Sequence, residues 1–281
     1  MRTPLAGVIG WPVAHSLSPR LHSYWLAAHA ILGAYVKMPV RREDFAAVLT
    51  SLGRAGFAGV NVTVPHKEAA FALAASSDAL ARATQAANLL VFQDDGSVLA
   101  RNTDVFGLRR SLESEFALTT LEHQHAVIVG AGGAARAAVL ALCELHVAKI
   151  TVINRSPARA ETLQSVLRPY LETPLIVAGL AQWQSLAEGV DLLINCTSIG
   201  LGRQTEFMLD LRQLPPGARV CDMVYRRGGT ELVHTARHIG LSAIDGLGML
   251  MYQAVPSFAA FYGVTPEVSP ALRHHLEAET P

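Results

Sequence analysis

At 281 residues, 51% of them apolar, the chain has the length of about two domains and enough apolar side chain for a sizeable core, which excludes disorder as its default state. Lys plus Arg is 23 and Asp plus Glu is 23, so the broad basic field that draws proteins to nucleic acid or membrane surfaces is missing, and neither is expected as a partner. Cys143, Cys196 and Cys221 stand far apart without a CxxC pair, which fits neither a disulfide framework nor a zinc site and points to a reducing, cytoplasmic home.

The run from Leu5 to Trp11 has only Arg2 before it and is interrupted by Pro12, so it reads as a short buried strand rather than a signal-peptide core. No apolar stretch approaches the ~20 residues of a membrane span. Short β-branched runs then alternate with Ala/Leu-rich stretches. Strands are expected over Leu5–Ile9, Ala34–Pro39, Gly59–Val64, Leu89–Phe92 and Val98–Ala100, and helices over Pro19–His29, Asp44–Ala55 and Lys67–Ala74. Asp94-Asp95-Gly96 marks a hairpin turn between the last two strands.

From His125 the rhythm becomes a regular βαβ pattern. Strands are expected over Ala126–Val129, Lys149–Ile153, Leu175–Ala178, Leu192–Cys196 and Arg219–Met223, with helices over Ala134–Leu145 and Pro157–Leu167. Continuous apolar strands of this kind belong to a parallel sheet covered on both faces. Helices over Met249–Tyr262 and Pro270–Glu279 follow, and the absence of flexible linkers near Asp104 and Gly246 predicts that they pack back on the first domain.

Gly130-Ala131-Gly132-Gly133-Ala134-Ala135 follows a strand and opens a helix, the context in which a glycine pattern signifies a dinucleotide site. Gly130 permits the tight turn, Gly132 lets a pyrophosphate approach the backbone, and the small Ala135 seats the helix on the sheet; the helix N-terminus offers N–H groups to phosphate. About 20 residues on, where a carboxylate would hold the ribose of NAD, the chain reads Asn154-Arg155-Ser156, with Arg159 a turn beyond. Two guanidinium groups and a hydroxyl suit a 2′-phosphate, so NADP is the expected cofactor.

Two segments of the first domain are unusually polar. Ser16-Leu17-Ser18-Pro19 lies between a strand and a helix, with Ser18 equally suited to capping that helix. In Asn61-Val62-Thr63-Val64-Pro65-His66-Lys67, Asn61, Thr63 and Pro65 share one face of a strand, while Val60, Val62 and Val64 face the core. Asn102-Thr103-Asp104 follows another strand, either as a helix cap or as part of a substrate crevice. Among eleven histidines, His22 and His66 are the rival bases, and no His has metal-ligand spacing, so no metal is expected.

These segments, with Asn195-Cys196-Thr197-Ser198-Ile199-Gly200 and the run from Asp245 through Gly246 and Met249 to Gln253, occur in an order that resembles the shikimate dehydrogenases over nearly the whole chain. The resemblance implies an α/β fold of two domains. A substrate domain would span residues 1–104, a Rossmann NADP-binding domain 105–246, and C-terminal helices 247–281 would return to the substrate domain. It implies reversible reduction of 3-dehydroshikimate to shikimate by a monomer or homodimer, with Lys67 and Asp104 as the catalytic pair. Ser16, Ser18, Asn61, Thr63, Asn88, Tyr225 and Gln253 would contact substrate. Gly130, Gly132, Gly133, Ala134, Ala135, Asn154, Arg155, Ser156, Arg159, Thr197, Gly246 and Met249 would bind cofactor.

Three positions depart from the family pattern. Leu89 replaces a Thr after Asn88, Arg226-Arg227 replaces Asn-Pro after Tyr225, and Ser23 replaces an Asn after His22. They leave open a shikimate-dehydrogenase-like enzyme acting on quinate, an aminoshikimate or another cyclic hydroxy acid. A regulatory protein that binds NADP(H) without turnover is the alternative of a different class, and the presence of both Lys67 and Asp104 argues against it.

Overall fold

The computed structural model describes residues 3–200 and 209–278. The chain divides into two compact units, one of residues 1–103 with 250–281 and one of residues 104–249.

The first unit is built on a six-stranded sheet. Its strands are β1 (Leu5–Gly10), β2 (Ala34–Pro39), β3 (Phe57–Val62), β4 (Ser76–Ser77), β5 (Leu89–Phe92) and β6 (Val98–Arg101), in the spatial order β2-β1-β3-β5-β6-β4. β1 pairs in parallel with β2 and β3, whereas β5 runs antiparallel to both β3 and β6. The short loop through Asp94-Asp95-Gly96 dictates the β5–β6 reversal. Gly96 takes φ +82°, and the Asp95 carboxylate accepts the Ser97 N–H at 2.8 Å.

Period-two alternation sorts this sheet's side chains between two cores. Ile9, Val60, Val62, Leu90 and Ala100 pack on one side with α2 (Phe45–Arg54), and Ala6, Val8, Tyr35 and Leu89 pack on the other with Phe261. Phe261 belongs to α10 (Leu247–Tyr262), and the Trp25 indole of α1 (Ser18–Ala28) donates to the Glu267 carbonyl at 3.1 Å. From Leu250 onward α10 belongs to the first unit, as does the last helix, α11 (Pro270–Glu277); Glu279, the expected end of that helix, lies outside the described residues.

The second unit carries a six-stranded sheet in which every neighbouring pair is parallel, ordered β12-β11-β10-β7-β8-β9. The strands are β7 (His125–Val129), β8 (Lys149–Ile153), β9 (Leu175–Ala178), β10 (Leu192–Asn195), β11 (Arg219–Asp222) and β12 (Ser242–Ile244). This is the doubly wound Rossmann order, with the strand direction of travel reversing between β7 and β10, where such sheets bind dinucleotides. Its helices include α5 (Asp104–Glu115), α6 (Gly133–Glu144), α7 (Pro157–Leu167) and α9 (Glu231–His238).

Most expected elements stand within two residues of their expected ends. The first-domain segment α3 (Lys67–Leu73) is followed by a short strand, β4, and by α4 (Ala79–Thr84), neither of which the sequence pattern announced; nor did it announce α9 or β12. No helix among the described residues is long and apolar enough to cross a membrane.

Candidate active site

In the first unit, β3 ends at Val62 and a tight turn closed by the His66 N–H on the Thr63 carbonyl (3.0 Å) leads into α3. Two side chains consequently sit differently from expectation. Val64 is 67% exposed rather than core, because the alternation that would have buried it stops two residues earlier. Ser18 does not cap α1: it is the first helical residue, after a Leu17 that makes no side-chain cap, and it is buried with its N–H on the Ser16 hydroxyl oxygen at 3.3 Å.

Lys67 opens α3, half-buried, and its carbonyl accepts the Ala87 N–H at 2.9 Å, which brings it beside the segment carrying Asn88. Asn88 is the hub of a polar cluster. Its Oδ1 accepts the Thr103 N–H at 2.7 Å, while its amide nitrogen donates to Thr103 Oγ1 at 2.9 Å and to Gln253 Oε1 at 3.1 Å. Thr103 is pinned again through its neighbour, since the Asn102 amide donates to Thr84 Oγ1 (2.9 Å) and to the Ala86 carbonyl (3.0 Å). Asp104, 4% exposed, follows immediately as the first residue of α5.

Asn61 has a different part from the one expected. Its Oδ1 accepts the Tyr35 hydroxyl at 2.8 Å, and its two amide hydrogens go to the Asn88 carbonyl (3.0 Å) and Ser257 Oγ (2.8 Å). With both donors committed inside the unit, Asn61 is suited to holding the Asn88 backbone rather than to donating to a ligand.

Neither rival histidine can serve as a base. His66 is buried against Phe45, rings stacked 4.6 Å apart, and its Nε2–H donates to the Val40 carbonyl at 2.8 Å. His22 is fully buried, stacked 3.9 Å from Tyr35, with no hydrogen-bond partner for either ring nitrogen among the described residues, and desolvation lowers its pKa to about 3.

In the second unit the glycine turn has the form a dinucleotide needs. Gly130 takes φ +112° directly after β7, and a Cβ there would meet the Cys196 carbonyl and Thr197 Cγ2 at 3.2 Å. At Gly132, which precedes the first turn of α6, a Cβ would meet nothing within 4 Å beyond its chain neighbours among the described residues, which leaves open space at the helix N-terminus. Gly133 begins α6 with Ala134, and Ala135 is fully buried against the sheet.

At the end of β8 the Asn154 amide donates to the Ser156 carbonyl at 2.8 Å, closing a turn from which Arg155, Ser156 and Arg159 all project exposed. That end carries two guanidinium groups and no carboxylate, which fits a 2′-phosphate. On the other side of β7, Thr197 is fastened to Asn195 Oδ1 by its N–H (3.0 Å) and its hydroxyl (2.7 Å). Gly246, whose N–H donates to the Val224 carbonyl at 3.0 Å, lies so near the next loop that a Cβ would stand 2.2 Å from the Met223 carbonyl oxygen. Met249 is buried in the first turns of α10, and Tyr225 is half-buried in the loop after β11.

Residues 8–90 match the family described as shikimate dehydrogenase substrate binding domain, and residues 112–210 match shikimate / quinate 5-dehydrogenase. A shikimate dehydrogenase (NADP(+)) of Rhodospirillum rubrum is 45% identical over 269 residues, 96% of this chain and 95% of that one. Among solved structures, shikimate 5-dehydrogenase of Thermus thermophilus in complex with NADP(H) and shikimate is 30% identical with a TM-score of 0.85, covering 98% of this chain and 99% of that one. Quinate dehydrogenase of Corynebacterium glutamicum in complex with NAD is 27% identical with a TM-score of 0.87, over 98% of both chains.

Proposed function

Because the chain belongs to the shikimate dehydrogenase family, we propose that it is an NADP-dependent oxidoreductase interconverting 3-dehydroshikimate and shikimate in aromatic amino-acid biosynthesis. The observation that carries the reading is the full-length likeness to a relative of that name and cofactor. The free thiols of Cys143, Cys196 and Cys221 suit action in the cytoplasm.

Bound NADP(H) supplies the redox chemistry; the chain's residues bind, orient and move the proton. Gly130, Gly132, Gly133 and the N-terminus of α6 hold the pyrophosphate, and Arg155, Ser156 and Arg159 hold the 2′-phosphate by charge-assisted hydrogen bonds. Ser16, Ser18, Thr63, Asn88, Tyr225 and Gln253 receive the hydroxyls and carboxylate of the ring, with Asn61 supporting Asn88 from behind. As the alcohol carbon is oxidised its hydroxyl must lose a proton, and as the ketone is reduced its oxygen must gain one. Lys67 accepts and returns that proton, with Asp104 as the second member of the pair, a role worth ~10²–10⁴ in rate.

The departure at position 89 leaves quinate or a related acid open as an alternative, and the burial of Leu89 in an apolar cluster supports a packing role for it instead. In a bacterial strain lacking shikimate dehydrogenase and requiring aromatic amino acids, expression of this chain should restore growth on minimal medium, and the Lys67→Ala variant at equal abundance should not. Failure of the wild type to restore growth, with soluble protein present, counts against the substrate.

A further inference from the structure

Asp222 is the last residue of β11 and is 1% exposed. Burying a carboxylate costs several kcal/mol of hydration, so stability alone would place an apolar residue there. Instead three donors converge on it. Oδ1 accepts the Asn195 amide at 2.9 Å and the Val224 N–H at 3.1 Å, and Oδ2 accepts the Thr230 hydroxyl at 2.7 Å.

The donors lead to two loops at the carboxyl edge of the sheet, the one after β10 and the one between β11 and α9. Asn195, opposite Asp222 in the β10–β11 register, uses its remaining Oδ1 to fix both the N–H and the hydroxyl of Thr197. Val224 precedes Tyr225 and, through its carbonyl, takes the Gly246 N–H. Thr230 caps α9, its hydroxyl oxygen accepting the Val233 N–H at 3.3 Å. Both loops lie on the β10–β11 side of the switch point, the side away from Arg155 at the end of β8, and therefore beside the nicotinamide half of a dinucleotide laid across it.

We propose that Asp222 is a positioning residue that sets the nicotinamide half of the site, holding Thr197 through Asn195 and the Tyr225 loop through Val224. The inference rests on the NADP reading. It assigns no proton transfer to Asp222, which acts as a hydrogen-bond acceptor only.

The test compares two ligands on two variants. Adenosine 2′,5′-bisphosphate carries the 2′-phosphate and one 5′-phosphate but no nicotinamide, so it reports the Arg155 end alone. Asp222→Ala should weaken NADP binding and lower kcat by ~10-fold or more while the bisphosphate binds within about twofold of wild type. Asp222→Asn can keep Oδ1 on Asn195 and Val224 and turn its amide toward Thr230 Oγ1, so it should bind NADP within about threefold of wild type. Equal weakening of both ligands would mean general loosening of the unit and would overturn the proposal, as would unchanged NADP binding in Asp222→Ala. If Asp222→Ala does not fold, Asn195→Ser cuts the same link from its other end and must show the same split between ligands. A wild-type protein that binds no adenosine 2′,5′-bisphosphate overturns the NADP reading first and this proposal with it.

Discussion

A lysine at the first position of a helix is misplaced electrostatically, since the positive end of the backbone dipole disfavours a cation by about 0.3–1 kcal/mol. Lys67 holds that position in α3, with Glu68 beside it in the same turn. A residue kept against its local preference is best explained by chemistry at its side chain. Lys67→Ala should therefore lower kcat by ~10² or more, while NADP affinity measured by fluorescence quenching stays nearly constant. Normal turnover in that variant would move the proton-transfer role away from Lys67. His22 gives the opposite case, a titratable group with packing and no chemistry. Its ordinary pKa is ~6.5 unfolded and about 3 in the native protein. From pH 6.5 down toward 3 the unfolded chain binds a proton that the native state refuses, so stability falls by ~1.4 kcal/mol per pH unit well below 6.5. Above pH 6.5 the residue contributes no slope. Urea denaturation of wild type at pH 7.5 and 4.5 should show a loss larger by ~2–3 kcal/mol than the loss in His22→Leu; identical losses would mean that His22 reaches solvent in the folded protein.

Among the elements, β5 shows how alternation separates a functional neighbour from a packing one. Asn88 just before it turns to the polar cluster with Thr103 and Gln253, and Leu89 turns to the opposite face, where Ala6, Val8, Tyr35 and Phe261 enclose it. The hydroxyl next to Asn88 comes instead from Thr103. Leu89→Thr should accordingly destabilise the protein by ~1–3 kcal/mol, through a buried hydroxyl and lost apolar contact, and leave the ratio of kcat/KM for shikimate over quinate unchanged. A shifted ratio at unchanged stability would return Leu89 to the substrate site. The glycine turn after β7 was legible because every part of its signal is local: strand, three glycines, helix. Asp222 was not, since its meaning depends on the β10–β11 register that sets it opposite Asn195, 27 residues away. α4 and α9 do carry local signals in the sequence. Asp78 accepts the Ala81 N–H at 2.7 Å and Thr230 the Val233 N–H at 3.3 Å, each a capping residue before a short helix. Val64 departs from its expected core place because strand patterns end without a sequence mark: a Val two residues past the last ladder position looks the same as one inside it.

For the whole molecule, the second half of the sequence announces its class through the continuity of its apolar strands, since a parallel sheet buried on both faces leaves such runs, and the first half through short β-branched runs alternating with helical stretches. The return of the C-terminal helices to the first unit was readable only from the want of a linker, and its cause lies in contacts far apart in sequence, such as Asn61 with Ser257 and Trp25 with Glu267. The proposed activity rests on two readings, Arg155, Ser156 and Arg159 as holders of a 2′-phosphate and Lys67 as the group that moves the proton. The measurement that tests it most directly is kcat/KM on purified protein for shikimate and for quinate, each with NADP and with NAD. The account predicts that shikimate with NADP exceeds every other pairing, the cofactor preference following from Arg155, Ser156 and Arg159. A protein that turned over quinate with NAD more efficiently than shikimate with NADP would contradict it.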